Sequence, residues 1–197
     1  MVNRRTILKL GATTVTGVLI ERPGLGKDGA APHPHNTFQR AVFEERFGEC
    51  RAFAAELNRA GIPTTAIRGD VAKLWYEDLR VHLSRNPAPV AGLTDRAALF
   101  CLEELARDLG MRVIFRADHM IQPDGRAGHT AVGLASLVAV TRNLAPERGF
   151  GREIARLFRR FGTDGFDVSE ARSAAAQKRT GPFSPENTTA LVSWVIA

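Results

Sequence analysis

The sequence predicts an α/β domain with a mostly parallel open sheet, helices on both faces, one β-hairpin and a C-terminal strand. Strand-like and helical patterns alternate between residues 40 and 115, as is typical of parallel sheets with crossover helices. Hydrophobic residues make up 44% of the chain and charged residues 24%, which is the composition of a globular protein. A length of 197 residues is enough to bury a core.

The first strand–helix–strand unit is predicted over residues 40–67. Residues 40–45 have a short apolar centre, and residues 48–60 carry apolar side chains at helical spacing. Gly61-Ile62-Pro63 ends this helix, because glycine accepts a left-handed backbone and proline cannot continue the helix. The run 64–67 contains two threonines and an isoleucine, and it predicts the second strand.

Two further helices and two strands are predicted before residue 116. Asp70 is suited to cap a helix that begins at Val71 and ends near Asn86-Pro87. Residues 89–93 predict a third strand and residues 111–115 a fourth. Between them, Thr94 or Asp95 caps a helix whose apolar face is widened by Phe100 and Cys101. We therefore expect this helix to be buried on more than one side.

The pattern then changes to a hairpin, three helices and a terminal strand. Pro123-Asp124-Gly125 separates two strand-like runs and predicts a tight turn, because proline presets φ and glycine accepts a positive φ. The helices are predicted at residues 134–144, 152–161 and 167–181. The apolar, β-rich segment 190–197 predicts a strand that inserts into the sheet.

The charge distribution does not favour nucleic acid as a partner. The formal net charge is +6, but residues 1–31 hold five basic and two acidic side chains. The remainder has 22 basic and 19 acidic side chains. The one local cluster, which consists of Arg152, Arg156, Arg159 and Arg160, lies on a helical pattern and is interpreted as a solvated face.

The first residues form a basic segment followed by a short apolar run. Arg4 and Arg5 are followed by the apolar pair Ile7-Leu8, by Lys9, and by the weakly hydrophobic residues 10–20. This order resembles the twin-arginine export signals of bacteria, with Asn3 in place of the usual serine or threonine. The resemblance implies the twin-arginine export machinery as a partner and a periplasmic or exported location. It covers only this segment.

The sequence predicts three parts in the chain: a signal segment (1–31), as the resemblance implies, a linker (32–37) and a single α/β domain (38–197). Gly29-Ala30-Ala31 supplies small residues for cleavage, but Pro32 follows directly and would hinder it. Residues 10–20 are too few to span a bilayer, which takes about 20 residues, so this run is interpreted as part of a signal and not as a transmembrane helix. If the signal is not cut, it would tether the protein to the membrane.

Four segments lie where ligands bind in an open α/β sheet, at the carboxyl ends of predicted strands. They are 44–49, 68–71, 92–95 and 116–119. None contains a dinucleotide or Walker fingerprint, a Gly-x-Ser-x-Gly elbow or a Cys-x-x-Cys pair, so no cofactor is indicated. The two cysteines, Cys50 and Cys101, lie on helical patterns and are interpreted as buried free thiols, with a single disulfide as the alternative.

Two candidate sites come from these segments. Asp70 either caps a helix or presents a carboxylate beside the stacking surfaces of Trp75 and Tyr76, of which at most one can face the core fully. Thr94, with Gly92 and Leu93, precedes a helix whose N–H groups would hold an anion. Both sites have a purely structural alternative, a tight turn and an ordinary helix start.

The third candidate is a histidine pair. If the Pro-Asp-Gly turn places Gln122 opposite Arg126, then His119 lies opposite His129 on one face of the ribbon, with Asp118 on the other. Such neighbours lie about 5 Å apart at Cβ and could share a metal ion or a proton. The alternative is a polar pair on an exposed ribbon.

Three functions are consistent with the sequence. The first is an exported protein that binds a small ligand or assists a larger exported enzyme, because no catalytic motif is found. The second is a metal-dependent or hydrolytic enzyme that uses His119, His129 and a carboxylate such as Asp70. The third is a structural protein tethered to the membrane by an uncut signal.

Overall fold

The computed structural model describes Phe38, residues 40–141, Leu144 and residues 149–164, 173–178 and 188–197. All of these residues belong to the compact unit Pro32–Ala197. The predicted signal segment, with Arg4, Arg5 and Lys9, lies outside the described residues, and so does the predicted linker.

The described strands form one seven-stranded sheet in the order β2-β1-β3-β7-β4-β5-β6. The strands are β1 (Arg40–Glu44), β2 (Thr64–Ile67), β3 (Val90–Thr94), β4 (Val113–Ile121), β5 (Ala127–Leu134), β6 (Ser173–Lys178) and β7 (Thr189–Ile196). Strand β1 pairs in parallel with β2 and β3. The other four pairings, from β3–β7 to β5–β6, are antiparallel.

The α/β class, the hairpin and the C-terminal strand are therefore confirmed, and the sheet is mixed. The expectation of a mostly parallel sheet holds for β1, β2 and β3 only. The reason is the terminal strand: β7 enters between β3 and β4 and runs antiparallel to both. Strand β4 consequently points in the same direction as β3, but the two strands do not pair.

Helices cover both faces of the sheet. They are α1 (Gly48–Arg59), α2 (Ala72–Leu74), α3 (Arg80–Arg85), α4 (Arg96–Arg107), α5 (Ala135–Thr141) and α6 (Phe150–Asp164), with a π-helical turn, Trp75–Leu79, joining α2 to α3. One apolar core lies under α1, α5 and α6. The other lies under α2, the π turn, α3 and α4.

The two halves of the sheet meet where Trp194 of β7 packs on Gly92 of β3. These residues are partners in the antiparallel register, and the Trp194 side chain is wholly buried. A Cβ atom on Gly92 would overlap the indole ring. The absence of a side chain at Gly92 is thus what lets the ring lie across β3.

Two of the helix predictions are wrong, and with them the expectation that Cys101 is buried. The predicted helix 167–181 contains strand β6, whose backbone pairs with β5, so tertiary pairing overrides the helix propensity of its three alanines. Helix α4 is not buried on two sides, because Phe100 is 62% exposed and only one stripe of the helix faces the sheet. Cys101 is exposed for the same reason.

The described helices include none that is long and apolar enough to cross a membrane.

Candidate functional site

The hairpin brings His119 and His129 together as predicted. The Gln122 N–H donates to the Arg126 carbonyl (2.8 Å), and Gly125 has a φ of 88°. This register places His119 of β4 directly opposite His129 of β5. Asp118 lies on the other face, where it accepts a hydrogen bond from Arg96 of α4 (2.9 Å).

The two imidazoles are hydrogen-bonded and buried. Their Nδ1 atoms lie 2.7 Å apart, and the exposed fractions of the residues are 0% for His119 and 1% for His129. The alternative of a polar pair on an exposed ribbon is therefore wrong. The rings face the core under α1, α5 and α6 because the ribbon is covered on that side.

Ser193 is a third member of this group, and the sequence did not reveal it. Its Oγ lies 2.9 Å from Nε2 of His119, and the residue is wholly buried. Ser193 is on β7, which pairs with β4 across a long sequence separation. The polar residue within the apolar run 190–197 was the only signal that could have indicated it.

Phe150, the first residue of α6, covers both imidazoles. Its ring centroid lies 4.9 Å from that of His119 and 5.3 Å from that of His129. Burial, with the positive charge of His129, lowers the pKa of His119 well below its ordinary value. His119 is consequently neutral at physiological pH.

This arrangement can share protons but is closed to substrates. Ser193, His119 and His129 follow the order of nucleophile, base and orienting group. However, Ser193 has no exposed surface, and its strand is paired on both sides.

The group is also not arranged as a metal site. Two nitrogens bound to one zinc ion lie roughly 3.3 Å apart, at bond lengths of about 2.0–2.1 Å and a tetrahedral angle. The distance of 2.7 Å between the two Nδ1 atoms is that of a hydrogen bond. Within the described part of the chain, no group of three His, Cys, Asp or Glu side chains is placed to hold a metal ion.

A second polar group lies at the carboxyl ends of the parallel strands. Glu44, the last residue of β1, is wholly buried. Its oxygens accept hydrogen bonds from Arg46 Nε (2.8 Å), Arg46 Nη2 (3.0 Å), the Arg46 N–H (3.3 Å) and the Gly69 N–H (2.6 Å). Arg46 Nη2 also donates to Asp95 (2.8 Å). One guanidinium thus joins the ends of β1 and β3, and one carboxylate joins the ends of β1 and β2.

The charges of this second group stabilise one another. Burial acts to raise the pKa of Glu44, but the hydrogen bonds from Arg46 and Gly69 outweigh it and lower the pKa. Three of the four predicted segments, 44–49, 68–71 and 92–95, supply these residues. The fourth, 116–119, lies inside β4 and not at a strand end, because β4 extends from Val113 to Ile121.

Asp70, Trp75 and Tyr76 do not form a common site. Asp70 Oδ1 accepts a hydrogen bond from the Ala72 N–H (2.8 Å), which supports its role at the helix start. Trp75 is buried in the core and Tyr76 is 57% exposed, so they face different environments. Asp70 follows β2, which is four strand positions from β4, or about 19 Å at the usual spacing. It cannot act with His119 and His129.

Thr94 does not bind an anion in this arrangement. It is buried, and its hydroxyl accepts a hydrogen bond from Trp194 Nε1 (3.0 Å) and donates to the Asp95 carbonyl (2.9 Å). The N-terminal end of α4 is occupied by Asp95, whose carboxylate accepts from the Ala98 N–H (2.8 Å). Thr94 therefore holds the Trp194 ring in place.

Cys50 and Cys101 are free thiols. Burial raises the pKa of the Cys50 thiol to about 12, so Cys50 is unreactive.

Comparison of the sequence with protein-family models, with curated proteins and with solved structures finds no match.

Proposed function

We propose that the chain is an exported binding protein whose site for a small anion lies at the carboxyl ends of β1, β2 and β3. The observation that supports this proposal is the fixed position of Arg46 between Glu44 and Asp95. In the strand order β2-β1-β3-β7-β4, the connection that leaves β1 runs to β2 and the connection that leaves β3 runs the opposite way to β4, and ligands of open α/β sheets bind at such a reversal. Assistance to a larger exported enzyme is the alternative within the same class.

Arg46 is held so that part of its guanidinium stays available. Its side chain is 50% exposed, and its bonds to Glu44 and Asp95 use Nε and Nη2. The N–H groups on Nη1 make none of the described bonds. The guanidinium carbon also lies 5.5 Å from the centre of the Phe47 ring. A guanidinium fixed in this way loses little conformational freedom when it binds an anion.

A second guanidinium lies on the same edge. Arg68, which follows β2, pairs through Nε with Glu45, and its side chain is 79% exposed. Because a guanidinium matches the two oxygens of a carboxylate or phosphate, the ligand class is a small carboxylate or phosphate. The neighbouring carboxylates reduce the positive potential, so we expect weak binding.

The binding proposal is tested by NMR titration of the full chain with inorganic phosphate and, separately, with succinate at constant ionic strength. We expect saturable shifts at Gly69 and Arg46 with at least one anion. Arg46→Lys keeps the charge but loses the planar guanidinium, which can donate two parallel hydrogen bonds to an anion. This variant should weaken anion binding about tenfold. Arg59→Lys, at the far end of α1, is the matched control. The absence of saturable shifts with both anions, or equal binding by Arg46→Lys, would overturn the proposal.

Export is tested separately through the paired arginines. In a bacterial host with a twin-arginine pathway, the Arg4→Lys/Arg5→Lys variant should remain in the cytoplasm, whereas Arg22→Lys should be exported like the parent chain. Export of both variants at the same level would contradict the proposal. The intact mass of the exported protein would show whether the signal is cut near Ala31.

A further inference from the structure

Strands β4 and β5 are covered by described helices on one face only. Ala117 of β4 and Ala131 of β5 are buried in the core under α1, α5 and α6. The side chains next to Ala131 in sequence point to the opposite face, where Thr130 is exposed and Val132 is 53% exposed. No described helix therefore covers β5 on this side. We call it the open face, and it is defined by Arg116 and Asp118 of β4 and by their register partners Val132 and Thr130 of β5.

The open face begins where the cover of α4 ends. Val192 and Trp194 of β7 are buried in the core under α4, and their partners on β4 are Asp118 and Arg116. Neighbouring helices pack about 8–10 Å apart, and neighbouring strands lie about 4.8 Å apart. A further helix beside α4 would therefore lie two strands beyond β7, over β5. The open face thus has the position at which an α/β sheet takes its next helix.

Two guanidiniums at the open face share one carboxylate. Arg96 Nε of α4 (2.9 Å) and Arg116 Nη2 (3.1 Å) donate to the same oxygen of Asp118. Both Nη groups of Arg96 and Nη1 of Arg116 make none of the described hydrogen bonds, and the two side chains are 54% and 42% exposed. Glu103, further along α4, pairs with Arg107 (3.5 Å). Two positive charges thus face one negative charge, and donors remain for a further carboxylate.

Exposed apolar side chains border these guanidiniums. Phe100 follows Arg96 by four residues, so both lie on one side of α4, and this side faces β4 because Arg96 reaches Asp118. Phe100 is 62% exposed, and Val132 lies directly opposite Arg116 in the hairpin. Exposed apolar groups with charged groups around them mark surfaces that bind other proteins, and arginine is enriched in such surfaces.

The long described helices of a second copy of the chain do not match the open face. The exposed residues of α6 include Arg152 and Arg156, and those of α1 include Arg51 and Arg59. Either helix would bring arginines against the two guanidiniums of the open face, and like charges in an interface are repulsive. The charges of the open face are instead complementary to a helix that carries carboxylates.

We propose that the open face, with the adjoining side of α4, binds an acidic amphipathic helix of a partner protein. Carboxylates of this helix pair with Arg96 and Arg116, and its apolar residues cover Phe100 and Val132. The bound helix lies beside α4 and extends the helical layer over β5. This surface uses none of the residues of the anion site proposed above and does not depend on that site.

NMR titration of the full chain with two synthetic peptides tests the docking surface. Both peptides have about 18 residues, which is enough for a helix, and a stripe of leucines. One carries glutamates beside the stripe and the other lysines. We expect the glutamate peptide to give saturable shifts at Thr130 and Val132, and the lysine peptide to bind at least about tenfold more weakly. Equal binding of the two peptides, no saturation by the glutamate peptide up to about 1 mM, or shifts at Gly69 in place of β5 would refute the proposal.

Two variants locate the binding of the glutamate peptide. Arg96→Gln/Arg116→Gln should weaken it about tenfold, because charge-assisted hydrogen bonds are lost, whereas Arg80→Gln, at an exposed position on α3, should not. If the double variant does not fold, Val132→Glu decides, because it adds a repelling carboxylate at an exposed position and should also weaken binding about tenfold. Unchanged binding by the variant that folds would refute the proposal. Self-association of the parent chain that Val132→Glu abolishes would also refute it, since the occupant would then be a second copy.

Discussion

Glu44 and the pair of His119 and His129 are all buried in one sheet, but their surroundings differ. Glu44 lies at a strand end, where the half-exposed Arg46 reaches it from the surface. The histidines lie within strands under α6, where they contact each other and His119 also contacts Ser193. Burial is therefore compatible with an ionised Glu44 at the edge of the sheet, whereas in the interior it favours the neutral form of His119.

The largest loss of stability is expected at Gly92, where the two halves of the sheet meet. Gly92→Ala places a methyl group in the volume of the Trp194 ring, and the ring cannot move without breaking its bond to Thr94. We expect a loss of about 3 kcal/mol or more in the free energy of unfolding, measured with urea. Gly48→Ala is the control, because its added Cβ would meet only Arg51 Nη2 at 3.9 Å. Equal stability of both variants would show that β3 and β7 pack less tightly than described.

Removal of one ring from the buried histidine pair should destabilise the fold. His129→Ala leaves His119 with an unpaired buried nitrogen and a cavity, and it should cost about 3 kcal/mol in urea unfolding at pH 7.5. His82→Ala removes an exposed histidine and should cost less than about 1 kcal/mol. Equal stability of the two variants would contradict the burial of His129.

The two regions should respond to acid in different pH ranges. The pKa of His119 is lowered on folding, so its contribution is complete above about pH 6.5 and falls by roughly 1.4 kcal/mol per pH unit below it, down to the folded pKa. The pKa of Glu44 is also lowered, so its contribution is lost only below about pH 4.5, as the pH falls through the folded pKa. Urea unfolding between pH 8 and pH 4 checks this order, and a flat profile from pH 7 to pH 5 would contradict it.

The smallest loss of stability is expected at the carboxyl ends of the parallel strands, where Glu44 lies. Glu44→Gln keeps the shape of the side chain but removes the charge that accepts four hydrogen bonds, at a cost of about 2 kcal/mol. Glu45→Gln, which weakens only the exposed pair with Arg68, should have little effect. Thermal or urea unfolding at pH 7.5 compares them. Equal effects would mean that Glu44 behaves as a surface group.

The sequence predicted those features of the fold and the site that follow from local patterns. The Pro-Asp-Gly turn fixes the register of its own hairpin, and this register alone places His119 opposite His129. The rule for strand ends likewise identified three segments that meet at the carboxyl edge. In both cases the relevant residues are close in sequence or are placed by a general property of parallel sheets.

What depends on distant pairing could not be predicted. Ser193 and Trp194 acquire their roles only because β7 inserts between β3 and β4, and no local pattern encodes that position. The same insertion makes the sheet mixed. The alanine-rich residues of β6 favour a helix in isolation, and only the open edge of β5 makes them a strand.

The position of β7 also sets the order in which the protein can assemble during synthesis. Trp194 and Thr94 are joined by a hydrogen bond although they lie 100 residues apart in sequence. Until residues 189–196 have left the ribosome, β3 and β4 each present an unpaired edge, and such edges promote aggregation. On the export route proposed above, β7 therefore has to close the sheet before translocation.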